Sequence, residues 1–196
     1  MADEIGSGGK IRHVPLTPDR RRQARFEALA LPHLDGAYAL ARWLTRNDAD
    51  AADVVQEACL RAFRYFDSYR DGDARSWLLQ IVRRTAVSWI QRNRPKEVVS
   101  LEGDIDFNDT IATTSREAEV VLESRSDVRR LDQLIAALPV PLREAIVLRE
   151  LQELGYRDIA EVTGVPIGTV MSRLHRARSL LLRAWNSRDF GDGIGR

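Results

Sequence analysis

Cysteine and long apolar runs are scarce in this chain of 196 residues, and each shortage excludes a class of protein. Cys59 is the single cysteine, so the chain can form neither an internal disulfide nor a cysteine-rich zinc site. Apolar runs stay well below the ~20 residues that a membrane helix needs, and residues 1–22 are too polar for a signal peptide. We therefore expect a cytoplasmic protein with no membrane insertion.

Histidine and net charge are also limited. The three histidines, His13, His33 and His175, fall in separate segments, and no paired carboxylates or phosphate-binding glycine loop accompany them. The sequence therefore predicts no catalytic site, no metal site and no cofactor. The net charge of +1 does not indicate a strongly basic protein, so any nucleic-acid surface must come from the distribution of charge.

Helical periodicity is what the chain has in abundance, and it predicts an all-α fold. Apolar residues recur at three- and four-residue spacing in residues 23–95 and again in residues 128–186, which indicates two small helical domains. Residues 1–22 and 187–196 have the composition of mobile tails. Residues 96–127 carry nine acids and three bases and read as a flexible acidic linker. Its charge suits either a solvated tether or a shield for basic surfaces.

The clearest local motif is a helix-turn-helix over residues 154–182. Ile159, Ala160 and Thr163 lie on a short first helix, Gly164 supplies the turn, and Pro166 introduces a second helix. That helix has an apolar stripe and an opposite polar face. The predicted stripe is Ile167, Val170, Leu174, Ala177 and Leu181, and the polar face carries Thr169, Ser172, Arg173 and Arg176. Residues 167–185 contain four arginines and no acid, which favours DNA binding over a merely solvated face.

Two helices in the first domain also carry polar faces. The helix over residues 49–66 presents Asp53, Gln56 and Glu57 opposite its apolar stripe, a pattern that is usually only solvated. The helix over residues 74–93 buries a stripe that includes Trp77 and Trp89. Its remaining surface is basic, with Arg75, Arg83, Arg84 and Arg92. The chain thus has two separate surfaces suited to an anionic polymer.

Four motifs in order carry a family resemblance. They are residues 50–58 (DAADVVQEA), residues 77–83 (WLLQIVR), the pairs Leu138-Pro139 and Arg143-Glu144, and residues 156–178. Together they resemble the extracytoplasmic-function group of bacterial sigma-70-type sigma factors. The resemblance implies a region 2 domain and a region 4 domain that recruit core RNA polymerase to promoter DNA. It also implies control by an anti-sigma factor and no enzymatic activity.

The resemblance assigns roles to individual residues. The polymerase-binding residues are Asp53, Gln56 and Glu57; the minus-ten residues are Tyr69, Arg75, Arg83, Arg84 and Arg92; the minus-thirty-five residues are Thr169, Ser172, Arg173 and Arg176. Tyr69 is the candidate for touching a flipped base, because Trp77 and Trp89 lie on the apolar stripe and read as core. Arg84 and Ser88 stand where the family more often has Asn and Asp, and Gly155 replaces a serine cap.

A helix-turn-helix regulator that is not a polymerase subunit is the alternative function. Such a regulator needs a sensor or dimerisation domain. The first 95 residues show neither a cofactor motif nor a heptad repeat, so the sequence favours the sigma factor.

Overall fold

The structure is a computed structural model that describes residues 18–70, 72–94 and 123–189, and helices are the only regular elements in those ranges. The predicted all-α class is confirmed. The first unit contains α1 (Pro18–Ala30), α2 (Leu34–Thr45), α3 (Asp48–Arg64) and α4 (Ala74–Asn93), with short 3-10 turns at Leu31–His33 and Phe66–Ser68. The second unit contains α5 (Glu123–Ala137), α6 (Val140–Ile146), α7 (Tyr156–Thr163) and α8 (Ile167–Asp189), with a π turn at Val147–Leu151.

Side-chain caps begin α3 and α4. The Asn47 side chain accepts a hydrogen bond from the backbone N–H of Asp50 at 3.0 Å, which starts α3. Asp73 accepts from the N–H groups of Arg75 and Ser76 at 3.2 and 3.0 Å, which starts α4. Such caps satisfy N–H groups that have no partner within the helix.

The helix-turn-helix forms as predicted. Gly164 has a φ of +71°, a left-handed conformation that disfavours a side chain, and it ends α7 so that the chain can turn into α8. At the other end of α7 the Asp158 carboxylate accepts from the backbone N–H of Gly155 at 3.1 Å. That bond fixes the entry to α7 although Gly155 has no capping side chain.

Several predicted boundaries are shifted. The first helix begins at Pro18 rather than at residue 23, because Arg22 is tied to α3 and proline is well suited to a first helical turn. The second unit begins at Glu123 rather than at residue 128, and α8 continues to Asp189 beyond the predicted end at residue 186. Most of the predicted acidic linker lies in residues 95–122, outside the described residues, as do residues 1–17 and 190–196 of the predicted tails.

One apolar core runs through both units, because α4 packs against α7 and α2 packs against α6. Leu79, Ala86 and Ile90 of α4, which lie outside the predicted stripe, are also buried in this core. One residue of the predicted α8 stripe is exposed. Ile167 is 41% exposed because it lies in the first turn of α8, before the core begins at Val170.

Leu131 of α5 is 42% exposed. The buried positions of α5 start one turn later, at Leu134, where the helix reaches α6 and α8. None of the helices in the described ranges is long and apolar enough to cross a membrane.

Candidate polymerase and nucleic-acid interfaces

The face of α3 that carries the predicted polymerase-binding residues is open to solvent. Asp53, Gln56 and Glu57 are all exposed, opposite the buried stripe of that helix. Glu57 is paired with Arg61, one turn later, at 2.7 Å. Leu60 lies on the same side, one turn after Gln56, and is 57% exposed. The sequence analysis did not single out Leu60, although its four-residue spacing from Gln56 places it on this face.

The predicted minus-thirty-five residues also lie on an accessible face. Ser172 and Arg176 are exposed, and Thr169 and Arg173 are partly exposed, whereas Val170 and Leu174 face the core. The Ser172 hydroxyl donates to the carbonyl of Thr169 at 3.0 Å. The second helix of the motif therefore presents hydroxyl and guanidinium donors outward, as groove and phosphate contacts require.

The predicted minus-ten residues are divided by the packing of the two units. Arg84 and Arg92 are exposed on α4. Arg83 instead faces the second unit, where its Nε donates to Oε1 of Glu144 at 2.6 Å and its Nη2 donates to Oε2 at 3.4 Å. The Glu144 side chain is only 1% exposed, so Arg83 is the partner that makes burial of this carboxylate tolerable.

A second arginine of α4 is held by the same packing. Nη2 of Arg75 donates to the backbone carbonyl of Gln152 at 2.7 Å and to its side-chain Oε1 at 3.0 Å. The Gln152 side chain fits tightly against α2, because a Cβ added at Gly36 would lie 2.7 Å from that Oε1. Between the two arginines, Gln80 donates to the carbonyl of Glu161 at 2.9 Å. The second unit thus covers one side of the basic face of α4.

Tyr69, a predicted minus-ten residue, is held in place by two aromatic rings and a hydrogen bond. Its ring stacks on Phe66 with centroids 6.4 Å apart and lies 4.9 Å from Trp77, while its hydroxyl donates to the carbonyl of Gly72 at 2.6 Å. Trp77 and Trp89 are partly buried against the core, which agrees with their predicted packing role. Tyr69 and Trp77 are both partly exposed.

Glu144 and Gln152 are the residues that the sequence analysis missed. Residues 142–148 are all buried, and Glu144 is an acidic residue within this buried stretch. A buried carboxylate requires a cation or several donors. That position could have shown that a basic residue from elsewhere in the chain must approach α6, although not which one.

Comparison with known families matches both units. The family described as "Sigma-70 region 2" matches residues 29–96, and "Sigma-70, region 4" matches residues 128–181. The ECF RNA polymerase sigma-E factor of Haemophilus influenzae is 38% identical over 149 residues, which cover 72% of this chain and 77% of that protein. The ECF RNA polymerase sigma factor SigE of Mycolicibacterium smegmatis is 31% identical over 165 residues, 84% of this chain but only 63% of the relative's length.

A solved structure has a similar arrangement of helices. It is the sigma factor RpoE of Bartonella quintana in complex with the anti-sigma factor NepR, with 25% sequence identity and a TM-score of 0.63. The similarity covers 83% of this chain and 97% of that one.

Proposed function

Since this chain belongs to the extracytoplasmic-function group of sigma-70-type RNA polymerase sigma factors, we propose that it directs core RNA polymerase to a specific set of promoters and initiates transcription there. The observation that carries the proposal is the presence of region 2 and region 4 in one chain, in that order. Sigma factors are initiation factors and not enzymes. In this proposal the chain catalyses no reaction of its own, and the polymerase performs the chemistry.

Each of the three exposed helix faces, on α3, α8 and α4, has a separate role in this proposal. The α3 face around Gln56 and Glu57 binds the polymerase, and Leu60 adds an apolar contact at its centre. The α8 face, with Arg173 and Arg176, reads the upstream promoter element in the major groove. The α4 face and Tyr69 hold the separated strand of the minus-ten element, where unstacking a base costs a few kcal/mol that aromatic and arginine contacts offset.

The minus-ten function requires the two units to separate. While Arg83 is bonded to Glu144 and Arg75 to Gln152, their donors are directed at region 4 and not at a DNA strand. The 29 residues between α4 and α5, residues 94–122, can reach about 95 Å at roughly 3.3 Å per residue, so the covalent connection permits separation. In this proposal, binding to polymerase draws regions 2 and 4 apart and thereby uncovers the α4 face.

Control by an anti-sigma factor follows from the Bartonella quintana relative, which was solved with one bound. An inhibitor that favours the packed arrangement of regions 2 and 4 keeps the α4 face covered without touching DNA.

The proposed site of action is the cytoplasm, where core polymerase and the chromosome are found. The region 2 match over residues 29–96 assigns the first unit to a sigma factor and leaves no separate sensor domain there, which disfavours the helix-turn-helix regulator.

The first test replaces Glu57 by lysine and measures binding to core polymerase. The Glu57–Arg61 pair is on the surface, where such a pair contributes only about 0.3–0.5 kcal/mol, so α3 stays folded. We expect at least tenfold weaker core binding with unchanged circular dichroism. Asp132→Lys, a charge reversal on exposed α5, is the matched control. Core binding that is equal in the two variants would exclude the α3 face as the polymerase contact.

A further inference from the structure

Helix α1 is a basic helix that the family-derived roles leave unused. It contains four arginines and two acids within 13 residues. Phe26 anchors the helix on the end of α3, because its ring makes edge contacts with Phe63 and Phe66 at centroid distances of 5.2 and 5.4 Å. Helix α1 therefore has a fixed position beside the turn that leads to Tyr69.

One of the four arginines holds α1 in this position. The Nη2 of Arg22 donates to the carbonyl of Phe63 at 2.8 Å, and its Nε is paired with Asp67 at 3.0 Å. Its guanidinium also lies 4.5 Å from the centre of the Phe63 ring. Since all of these contacts are within the chain, Arg22 orients the helix and is not available to a ligand.

Arg21 and Arg25 are placed differently. Both are exposed, and they lie one turn apart on the same side of α1. The guanidinium of Arg25 is 5.6 Å from the centre of the Phe66 ring, and the Tyr69 ring stacks on that same Phe66. Arg25 thus stands next to the aromatic cluster that contains Tyr69, and Arg21 lies one turn before it on the same side of α1.

We propose that α1 is part of the nucleic-acid interface, with Arg21 and Arg25 binding backbone phosphates of the DNA strand whose base is held at Tyr69. Surfaces that bind single-stranded nucleic acid combine arginines with aromatic side chains on which the bases stack. The proposal rests on the proposed function and adds to it a surface that the packing of region 4 leaves exposed. Unlike Arg75 and Arg83, these two arginines are accessible before regions 2 and 4 separate.

The test uses holoenzyme formed with core RNA polymerase and a fork-junction DNA. The probe is selected by the parent holoenzyme from a pool with random single-stranded minus-ten positions. Arg21→Gln/Arg25→Gln should bind this probe about tenfold more weakly at low salt. The slope of log affinity against log salt concentration should be shallower by about 1.4 in this variant. Each single-strand phosphate contact contributes roughly 0.7 to that slope, and two contacts are removed. The selected base sequence should not change, because phosphate contacts carry no sequence information.

Two controls separate this role from a structural one. Arg21→Lys/Arg25→Lys keeps the charge and should restore the salt slope, and Arg129→Gln removes an exposed arginine of region 4 and should leave affinity for this probe unchanged. Arg21→Gln/Arg25→Gln should unfold at the temperature of the parent. Equal affinity and slope in this variant and in Arg129→Gln would overturn the proposal. Loss of core binding before DNA is added would also overturn it, by making α1 a polymerase contact. A parent holoenzyme that selects no DNA at all would instead refute the proposed function.

Discussion

The two surfaces suited to promoter DNA differ in what occupies them. On α8 the outward face of the helix-turn-helix is accessible, and its arginines lie opposite the region 4 core. On α4 an equally basic face is partly covered, because Arg75 and Arg83 are bonded to Gln152 and Glu144 of region 4. One of the two candidate DNA surfaces is thus accessible in the packed chain, and the other is partly covered by region 4.

The contrast shows that a pattern of arginines in the sequence indicates an anionic partner but does not identify that partner. A guanidinium forks onto a carboxylate or a phosphate with the same geometry. In the proposed function, the carboxylate of Glu144 competes with DNA for Arg83 at a high effective concentration until the units move apart, because it is tethered in the same chain.

The largest expected effect comes from preventing that movement. Gln80→Cys and Glu161→Cys, in a chain with Cys59→Ser, place one thiol on each side of the contact between α4 and α7. Joining them with a short cleavable bis-maleimide should abolish promoter opening by the holoenzyme, and cleaving the linker should restore it. The same protein treated with a monofunctional maleimide is the control. Normal opening by the cross-linked protein would show that separation is not required.

The next largest effect distinguishes Arg173, which is accessible in the free protein, from Arg83, which is expected to bind DNA only in the holoenzyme. Arg173→Ala should weaken binding of the upstream element by about 1–3 kcal/mol in the free protein and in the holoenzyme alike, because α8 is accessible in both. Arg83→Ala should weaken minus-ten binding only in the holoenzyme. Fluorescence anisotropy with separate upstream and single-stranded minus-ten probes measures each. An Arg83→Ala defect of equal size in the free protein would contradict the covered face.

A smaller effect is expected from releasing Arg83 while the side chain stays in place. Glu144→Gln removes the charge that holds Arg83, so the free protein should bind a single-stranded DNA probe several-fold more tightly than the parent. Glu150→Gln is the matched control, because its carboxylate also contacts an arginine at 2.6 Å but both side chains of that pair are 49% exposed. An exposed pair contributes little, so this control should behave as the parent. Equal DNA binding by the two variants would mean that Glu144 does not restrain region 2.

The smallest effect concerns the cap of α4. Hydrogen bonds from Ser76 first of all, and then from the backbone N–H of Arg75, lower the pKa of Asp73 below its ordinary value of 3.8. The ionised carboxylate therefore stabilises the fold above that pH, and its contribution is lost as the pH falls through the lowered pKa. Asp73→Ala should reduce stability by about 1 kcal/mol at neutral pH, as measured by urea unfolding.

Asp73→Asn separates the cap from the charge. Asparagine caps a helix as well as aspartate does, so most of the stability at neutral pH should remain while its acid dependence disappears. Upstream-element binding through α8 should be unaffected in both variants. A loss of upstream binding in either variant would show that the α8 face depends on the cap of α4.

Much of the fold could be predicted because its determinants are local. Helices α3 and α4 begin within one residue of their predicted starts, after the caps Asn47 and Asp73, and Gly164 takes the left-handed conformation that the turn requires. Ile167, predicted to lie on the buried stripe of α8, is instead exposed in the first turn of that helix. There the apolar spacing continues beyond the point where a neighbouring helix covers it.

The predicted site residues show the same limit. The sequence placed Arg83 and Arg84 side by side on one basic helix, and nothing local distinguishes them. In the structure Arg84 is exposed, whereas Arg83 is bonded to Glu144, 61 positions away in the chain. Their roles in binding DNA, like those of the polymerase-binding and minus-thirty-five residues, remain predictions for the experiments above.

By itself the sequence determined the helices, their caps, the helix-turn-helix and the family, because short-range periodicity and ordered motifs encode them. Only the tertiary structure decided that α4 is covered on two sides, that Leu79 and Ile90 belong to the core, and that Glu144 takes Arg83 as its partner. The physical reason is that a buried charge or an apolar side chain specifies the kind of neighbour it needs. Which neighbour it obtains depends on how two separately folded units pack.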